Sequence, residues 1–239
     1  MNMIKTTIDH IAIAVPDRGA AMRRYRDDFG AGWVATGRRS GSTIDQLRFS
    51  GGNKLEILGP DHQHAAGERL KGFLGQFGSS IHHITVNVDS VAESVEVLTA
   101  QGVKCVGVSL ADPRYQEAFV TPEHGGGVMV QISCKDVDDE GWARRYGHTP
   151  TSPAPNAPRF FGARISHPDP LLAGRQWAVL GATVSQDGDD VVVGWSEGEI
   201  GMRYVRGTIR ADIALCFDNV GSLPGGDDVG PPVISVANI

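Results

Sequence analysis

The 239-residue sequence predicts an α+β fold: paired βαβββ modules forming a curved mixed sheet around a cleft. Three observations carry this. The stretches DHIAIAVPDRGAAMRRYRDDFGAGWV, from Asp9, and HHITVNVDSVAESVEVLTAQGVKCV, from His82, repeat one pattern. Each opens with a short alternating or β-branched run and turns at an aspartate. Each then continues as an amphipathic stretch that a glycine stops, Gly30 or Gly102. Three further β-like segments follow each copy.

In the first copy IAIAV is the opening strand and Pro16-Asp17 the turn. Met22, Tyr25 and Phe29 share one helix face, while Arg23, Arg24 and Arg26 belong to a wetted one. GWVATGRR, TIDQLRFS and KLEILGP are the remaining strands. A short helix, AGERLKGFLGQF, is expected between the copies. In the second, ITVNV is followed by a turn at Asp89-Ser90 and a helix buried through Val91, Val95 and Leu98; KCVGVSL, EAFVTPE and GVMVQIS complete it. The glycines at 125–127 open a strand, lack a following Lys-Ser/Thr, and read as a hairpin turn rather than a phosphate loop.

The run HTPTSPAPNAP, residues 148–158, reads as a linker between residues 1–147 and a degenerate module at 159–239. There RFFGARISH, LLAGRQWAVLG, VVVGW and IGMRYVRG repeat the order faintly, and ADIALCFDN begins a fourth copy that decays. Trp177 and Trp195 are expected in its core or at an interface. An unfinished copy leaves a sheet edge to cover, which a homodimer would do.

The net charge of −6 gives no general attraction to nucleic acid or an anionic membrane, and the 41% apolar share suits a globular chain. No apolar run is long enough to cross a bilayer, and the N-terminus lacks a signal-like apolar core. Cys105, Cys134 and Cys216 are odd in number and widely spaced. They read as small hydrophobes in a reducing cytoplasm, not as a disulfide framework.

The chemistry is expected where the copies match. His10 and His83 head equivalent strands, 73 residues apart, and a pseudo-twofold pairing of the copies brings them together. The closing strands contribute Glu56, in KLEIL, and Gln131, in VMVQI. A polar side chain in an apolar strand needs a partner, because bare burial costs roughly 2–7 kcal/mol. Two imidazoles, a carboxylate and an amide satisfy one another through one divalent metal ion, with Co, Mn, Ni, Zn and Fe all suited to the donors. His82 should face away from His83, and His62, His64 and His124 fall in polar loops. Gln46 and Arg48 share a strand face, from which Arg48 is a candidate to bind a substrate carboxylate or phosphate.

The segments IDHIAIAVPD, KLEILGP, IHHITVNVD and FVTPEHGGGVMVQI, in that order, resemble the vicinal-oxygen-chelate (glyoxalase/bleomycin-resistance/dioxygenase) superfamily. Over residues 6–135 they most resemble its methylmalonyl-CoA epimerase family. The resemblance implies metal ligands at His10, Glu56, His83 and Gln131, with acid and amide exchanged between the halves. The epimerases use two glutamates to shuttle a proton. One family position is occupied here by Gln131 and the other by Gln46, and an amide takes no proton from carbon near neutral pH. Glu56 then stands for the missing acid, and Glu117, in EAFVT, is a second acid–base candidate. Asp45 points to the other strand face.

The function expected is a metal-dependent isomerase, epimerase or lyase of a small 2-oxo acid, acyl thioester or similar enolisable substrate. Two alternatives stand beside it. His10, His83 and Glu56 have the composition of an Fe(II) facial triad, as in extradiol dioxygenases. Loss of both family glutamates also fits a non-catalytic small-molecule-binding protein.

Overall fold

The structure is a computed structural model that describes residues 4–39, 42–61, 67–195, 198–220, 225 and 229–235; His62 and His64 lie outside the described residues. It is α+β, with one mixed sheet of eight strands and another of six.

The first repeat comprises β1 (Thr7–Ala14), α1 (Arg18–Met22), β2 (Gly32–Arg39), β3 (Ser42–Arg48) and β4 (Lys54–Pro60). The Asp17 carboxylate caps α1 by accepting the Ala20 N–H at 2.9 Å. The single helix expected here changes pitch. From Arg23 to Asp28 it winds as a π-helix, with Phe29 N–H donating to the Arg24 carbonyl five residues back. Tyr25 stays fully buried and stacks edge-on against Phe29, while Arg23 and Arg26 are exposed. After α2 (Gly67–Phe77), the second repeat follows: β5 (Ser80–Asn87), α3 (Val91–Ala100), β6 (Cys105–Ser109), β7 (Tyr115–Val120) and β8 (Met129–Lys135). In each repeat the first and last strands pair in parallel and the others are antiparallel. The eight-stranded order is β2-β3-β4-β1-β5-β8-β7-β6.

α4 (Asp139–Arg145) and an extended stretch come next. That Pro-rich stretch is pinned to the first repeat: Thr151 N–H donates to Trp33 O at 2.8 Å, and its hydroxyl accepts the Trp33 N–H.

The copy that the sequence shows faintly has all five elements: β9 (Phe160–His167), α5 (Pro170–Val179), β10 (Thr183–Asp187), β11 (Asp190–Trp195) and β12 (Gly198–Arg206). β9 and β12 pair in parallel like their counterparts. β10 reads TVSQD and is exposed at every residue, so no apolar alternation marks it. Of a fourth copy the described residues contain β13 (Ile213–Phe217) and β14 (Val233–Ser235), paired in parallel. The six-stranded order is β10-β11-β12-β9-β13-β14.

The chain sorts into two compact units whose segments alternate. One holds Met1–Asp9, His83–Asp136 and Gly162–Ile213, and the other His10–His82, Val137–Phe161 and Ala214–Ile239. Within the first, Trp177 and Trp195 are buried and meet edge to face, so both are core residues. The Trp177 indole N–H donates to the Tyr204 hydroxyl at 2.7 Å. Gly126, in the glycine turn, has φ +66° and lies so close that a Cβ would sit 2.6 Å from the Tyr204 hydroxyl. Within the second unit, Tyr25, Phe29, Phe49, Phe160 and Phe217 form an aromatic cluster. Also there, Leu70, Phe73 and Leu74 of α2 cover Ala12, Ala14, Leu58 and Ile44, one alternating face of the first repeat.

None of the three cysteines is in a disulfide; Cys216 is buried, and Cys105 and Cys134 are half-buried. Among the described residues, no helix is long and apolar enough to cross a membrane.

Candidate metal centre

Strand alternation aims the candidate groups. On β1, His10, Ala12 and Ala14 share a face. Ala12 is level with Glu56 on β4, and Glu56 is level with Gln46 on β3. His10 and Glu56 are buried, at 4% and 6% exposure. His10 Nε2 lies 3.6 Å from Glu56 Oε2, too long for a hydrogen bond. Gln46 Nε2 donates to that same oxygen at 2.9 Å, which fixes the carboxylate from the strand beside it.

In the second repeat His83, Thr85 and Asn87 share a face of β5, with Gln131, Ser133 and Lys135 beside them on β8. The alternation is strongly polar. Thr85 Oγ1 donates to Gln131 Oε1 at 2.7 Å. Gln131 Nε2 donates to Glu117 Oε2 at 2.6 Å and to the Tyr115 hydroxyl at 3.1 Å. Ser133 and Lys135 extend the row: Ser133 donates to Asn87, and Asn87 and Lys135 both donate to Asp9.

His10 and Glu56 present an imidazole and a carboxylate 3.6 Å apart within one unit, and His83, buried in the other unit, is the third candidate ligand. Ligand atoms around a first-row divalent cation stand roughly 3–4 Å apart at bond lengths near 2.1 Å. The His10–Glu56 separation falls in that range, and two imidazoles and a carboxylate suit such an ion in chemistry.

The other sequence candidates have definite surroundings. Arg48 forks onto Glu140 at 2.9 Å and Asp139 at 3.2 Å, at the start of α4; burial lowers its pKa, and the hydrogen bonds and charges of the two carboxylates together outweigh that and raise it. A hydrogen bond from Arg48 holds the Glu140 carboxyl below its ordinary range. Lys54, level with His10, donates to both oxygens of Asp139 at 2.8 Å. Asp45 does face away from Gln46: it pairs with Arg18 and accepts the Trp33 indole N–H at 3.3 Å. His82 packs its ring against Phe73, with centroids 4.9 Å apart, as a structural residue. His124 is half-buried in the glycine turn rather than solvated.

Sequence reasoning missed Thr85 and Tyr115, although both are marked by alternation: Thr85 lies two residues from His83, and Tyr115 two from Glu117. Nothing in the sequence flags Asp139 and Glu140 as partners of residues more than 80 positions away.

Residues 9–121 match the model of the Glyoxalase/Bleomycin resistance protein/Dioxygenase superfamily. Mouse (Mus musculus) mitochondrial methylmalonyl-CoA epimerase is 28% identical over 134 residues, covering 52% of this chain and 71% of that protein. Ethylmalonyl-CoA/methylmalonyl-CoA epimerase of Cereibacter sphaeroides is 27% identical over 132 residues, covering 52% and 95%. A solved structure of a hypothetical protein from Staphylococcus aureus is 10% identical, with a TM-score of 0.63 over 97% of this chain and 100% of its own. That likeness shows the fold alone, and it runs through the C-terminal repeats.

Proposed function

We propose, from the match of residues 9–121 to the model of the glyoxalase/bleomycin resistance protein/dioxygenase superfamily, that the chain is a divalent-metal-dependent isomerase, epimerase or lyase. Its substrate is a small enolisable molecule, a 2-oxo acid or an acyl thioester. The relatives named for methylmalonyl-CoA and ethylmalonyl-CoA make an acyl-CoA thioester the first one to try. The observation that carries the reading is the buried pair His10 and Glu56, with Nε2 3.6 Å from Oε2, and His83 is the third ligand by its matching place in the second repeat.

His10, Glu56 and His83 hold the cation, and the sequence pattern adds Gln131 as a fourth candidate. When bound, the metal supplies a positive charge beside the substrate oxygen that gathers electron density as a neighbouring C–H bond breaks. The chain supplies the rest. Glu117, the second acid–base candidate of the sequence, takes and returns the proton in this reading. Gln46 orients Glu56 through the bond at 2.9 Å. Gln46 and Gln131, neutral amides, donate hydrogen bonds and move no proton. Burial of the ligand residues limits water around the developing charge.

A second reading is favoured by the same trio, since two histidines and one carboxylate are the facial set of Fe(II) oxygenases. It predicts oxygen consumption with a catechol.

The test is metal analysis of the purified protein beside His83→Ala, after supplementation with cobalt, zinc and manganese. About one equivalent in the wild type and less than a tenth in the variant is expected. Equal, negligible metal in both would remove both enzyme readings in favour of a binding protein. Deuterium incorporation into methylmalonyl-CoA in heavy water then separates proton transfer from oxygenation.

A further inference from the structure

We infer that Gln131 is a positioning residue for Glu117 and stands outside the cation's coordination, leaving His10, Glu56 and His83 as the protein's ligands. The ligand count rests on the metal reading above. The pairing of Gln131 with Glu117 stands on its own geometry.

β8 runs between β5 and β7, so Gln131 has a neighbour on each side. Thr85 is level with it on β5, and Phe119 on β7, with Glu117 one step diagonal. The amide is fully engaged across this row. An ionised carboxylate only accepts, so the end of Gln131 facing Glu117 at 2.6 Å is the –NH2. Its second proton goes to the Tyr115 hydroxyl at 3.1 Å. The oxygen is thereby turned to Thr85, whose hydroxyl donates to it at 2.7 Å. Thr85 is 1% exposed and Gln131 6%, so water does not readily replace any of these bonds.

Turning Oε1 onto a cation would swing Nε2 away from Glu117 and Tyr115 and give up the Thr85 bond as well. A neutral amide is also a poorer ligand than a carboxylate and a better donor to one. The chemistry of the residue and its contacts point the same way. Glu117 needs a fixed donor, and Gln131 supplies it. The second repeat keeps an acid, on β7 rather than at position 131 of β8.

The test is an isosteric swap. Wild type, His83→Ala, Gln131→Glu and the double variant Gln131→Glu/Glu117→Gln are titrated with Co(II) and followed by visible absorption. The metal-free proteins are also unfolded in urea. Gln131→Glu opposes two carboxylates and should lower the folding constant at least fivefold; adding Glu117→Gln restores an amide–carboxylate pair and should return it to within about twofold of wild type. The double variant has wild-type net charge, so its cobalt dissociation constant should stay within threefold and its absorption bands should not move. His83→Ala should weaken cobalt at least 100-fold.

Failure of the second change to rescue the first overturns the positioning role. Shifted bands with tenfold tighter cobalt in the double variant would place position 131 in the coordination and overturn the inference while leaving the metal reading intact. Wild type that takes up no cobalt sinks the metal reading instead, and the unfolding arm then decides the Gln131–Glu117 pairing alone.

Discussion

Gln46 and Glu56 are level on neighbouring antiparallel strands, and the amide nitrogen of one donates to a carboxylate oxygen of the other at 2.9 Å. The oxygen it meets is the one 3.6 Å from His10 Nε2. The bond therefore sets the direction of the carboxylate that the metal reading depends on.

Gln46→Leu keeps the side-chain volume and removes the donor. Outer partners of metal ligands typically contribute about 10–100-fold in affinity. Cobalt binding by the variant is expected to weaken by roughly that factor, with the fold retained by circular dichroism. Undiminished affinity would mean that Glu56 is oriented without Gln46.

Lys54 holds both carboxylate oxygens of Asp139, the first residue of α4, from a nearly buried position on β4. Lys54→Met removes this two-pronged ion pair, while Arg48 stays 3.2 Å from Asp139. The loss is expected to be about 1–3 kcal/mol in urea unfolding. Limited proteolysis should cut earlier around residues 139–145.

Glu140 contributes pH dependence of known sign. Its carboxyl is held below the ordinary range, first by the hydrogen bond from Arg48. A depressed folded pKa means stability that is present above the unfolded value, near 4.3, and lost as pH falls through the folded one. The carboxylate is exposed and screened, so Glu140→Gln should cost only about 0.2–1 kcal/mol at pH 7. That difference should shrink toward zero as unfolding is measured from pH 5 down to pH 2.

Two glycines with left-handed backbone separate conformation from crowding. Gly188 has φ +60° and open space around it, so Gly188→Ala should cost about 1–2 kcal/mol from the backbone alone. Gly126 has φ +66° but abuts Tyr204 and Trp177, so Gly126→Ala adds overpacking of about 1–3 kcal/mol. Paired thermal melts read the difference, and tryptophan fluorescence should shift in the second variant only.

The periodic features were legible in the chain. Alternation and glycine stops marked both N-terminal repeats, and the matched placing of His10 and His83 followed from duplication. Elements without a pattern were not legible. β10 is polar and exposed throughout, so the third repeat looked incomplete. The π-helical pitch after Met22 keeps Tyr25 buried just as an α-helix would, so spacing alone did not separate the two.

By itself the sequence determined which residues lie on which strand face, because alternation is a local property with a period of two. Strand pairing then decided who meets whom. Arg48, a candidate substrate contact, meets Glu140, 92 positions away, and Gln131, a candidate ligand, meets Thr85 and Glu117. Such partners are set by register between strands and by where a helix docks, and no local periodicity encodes either.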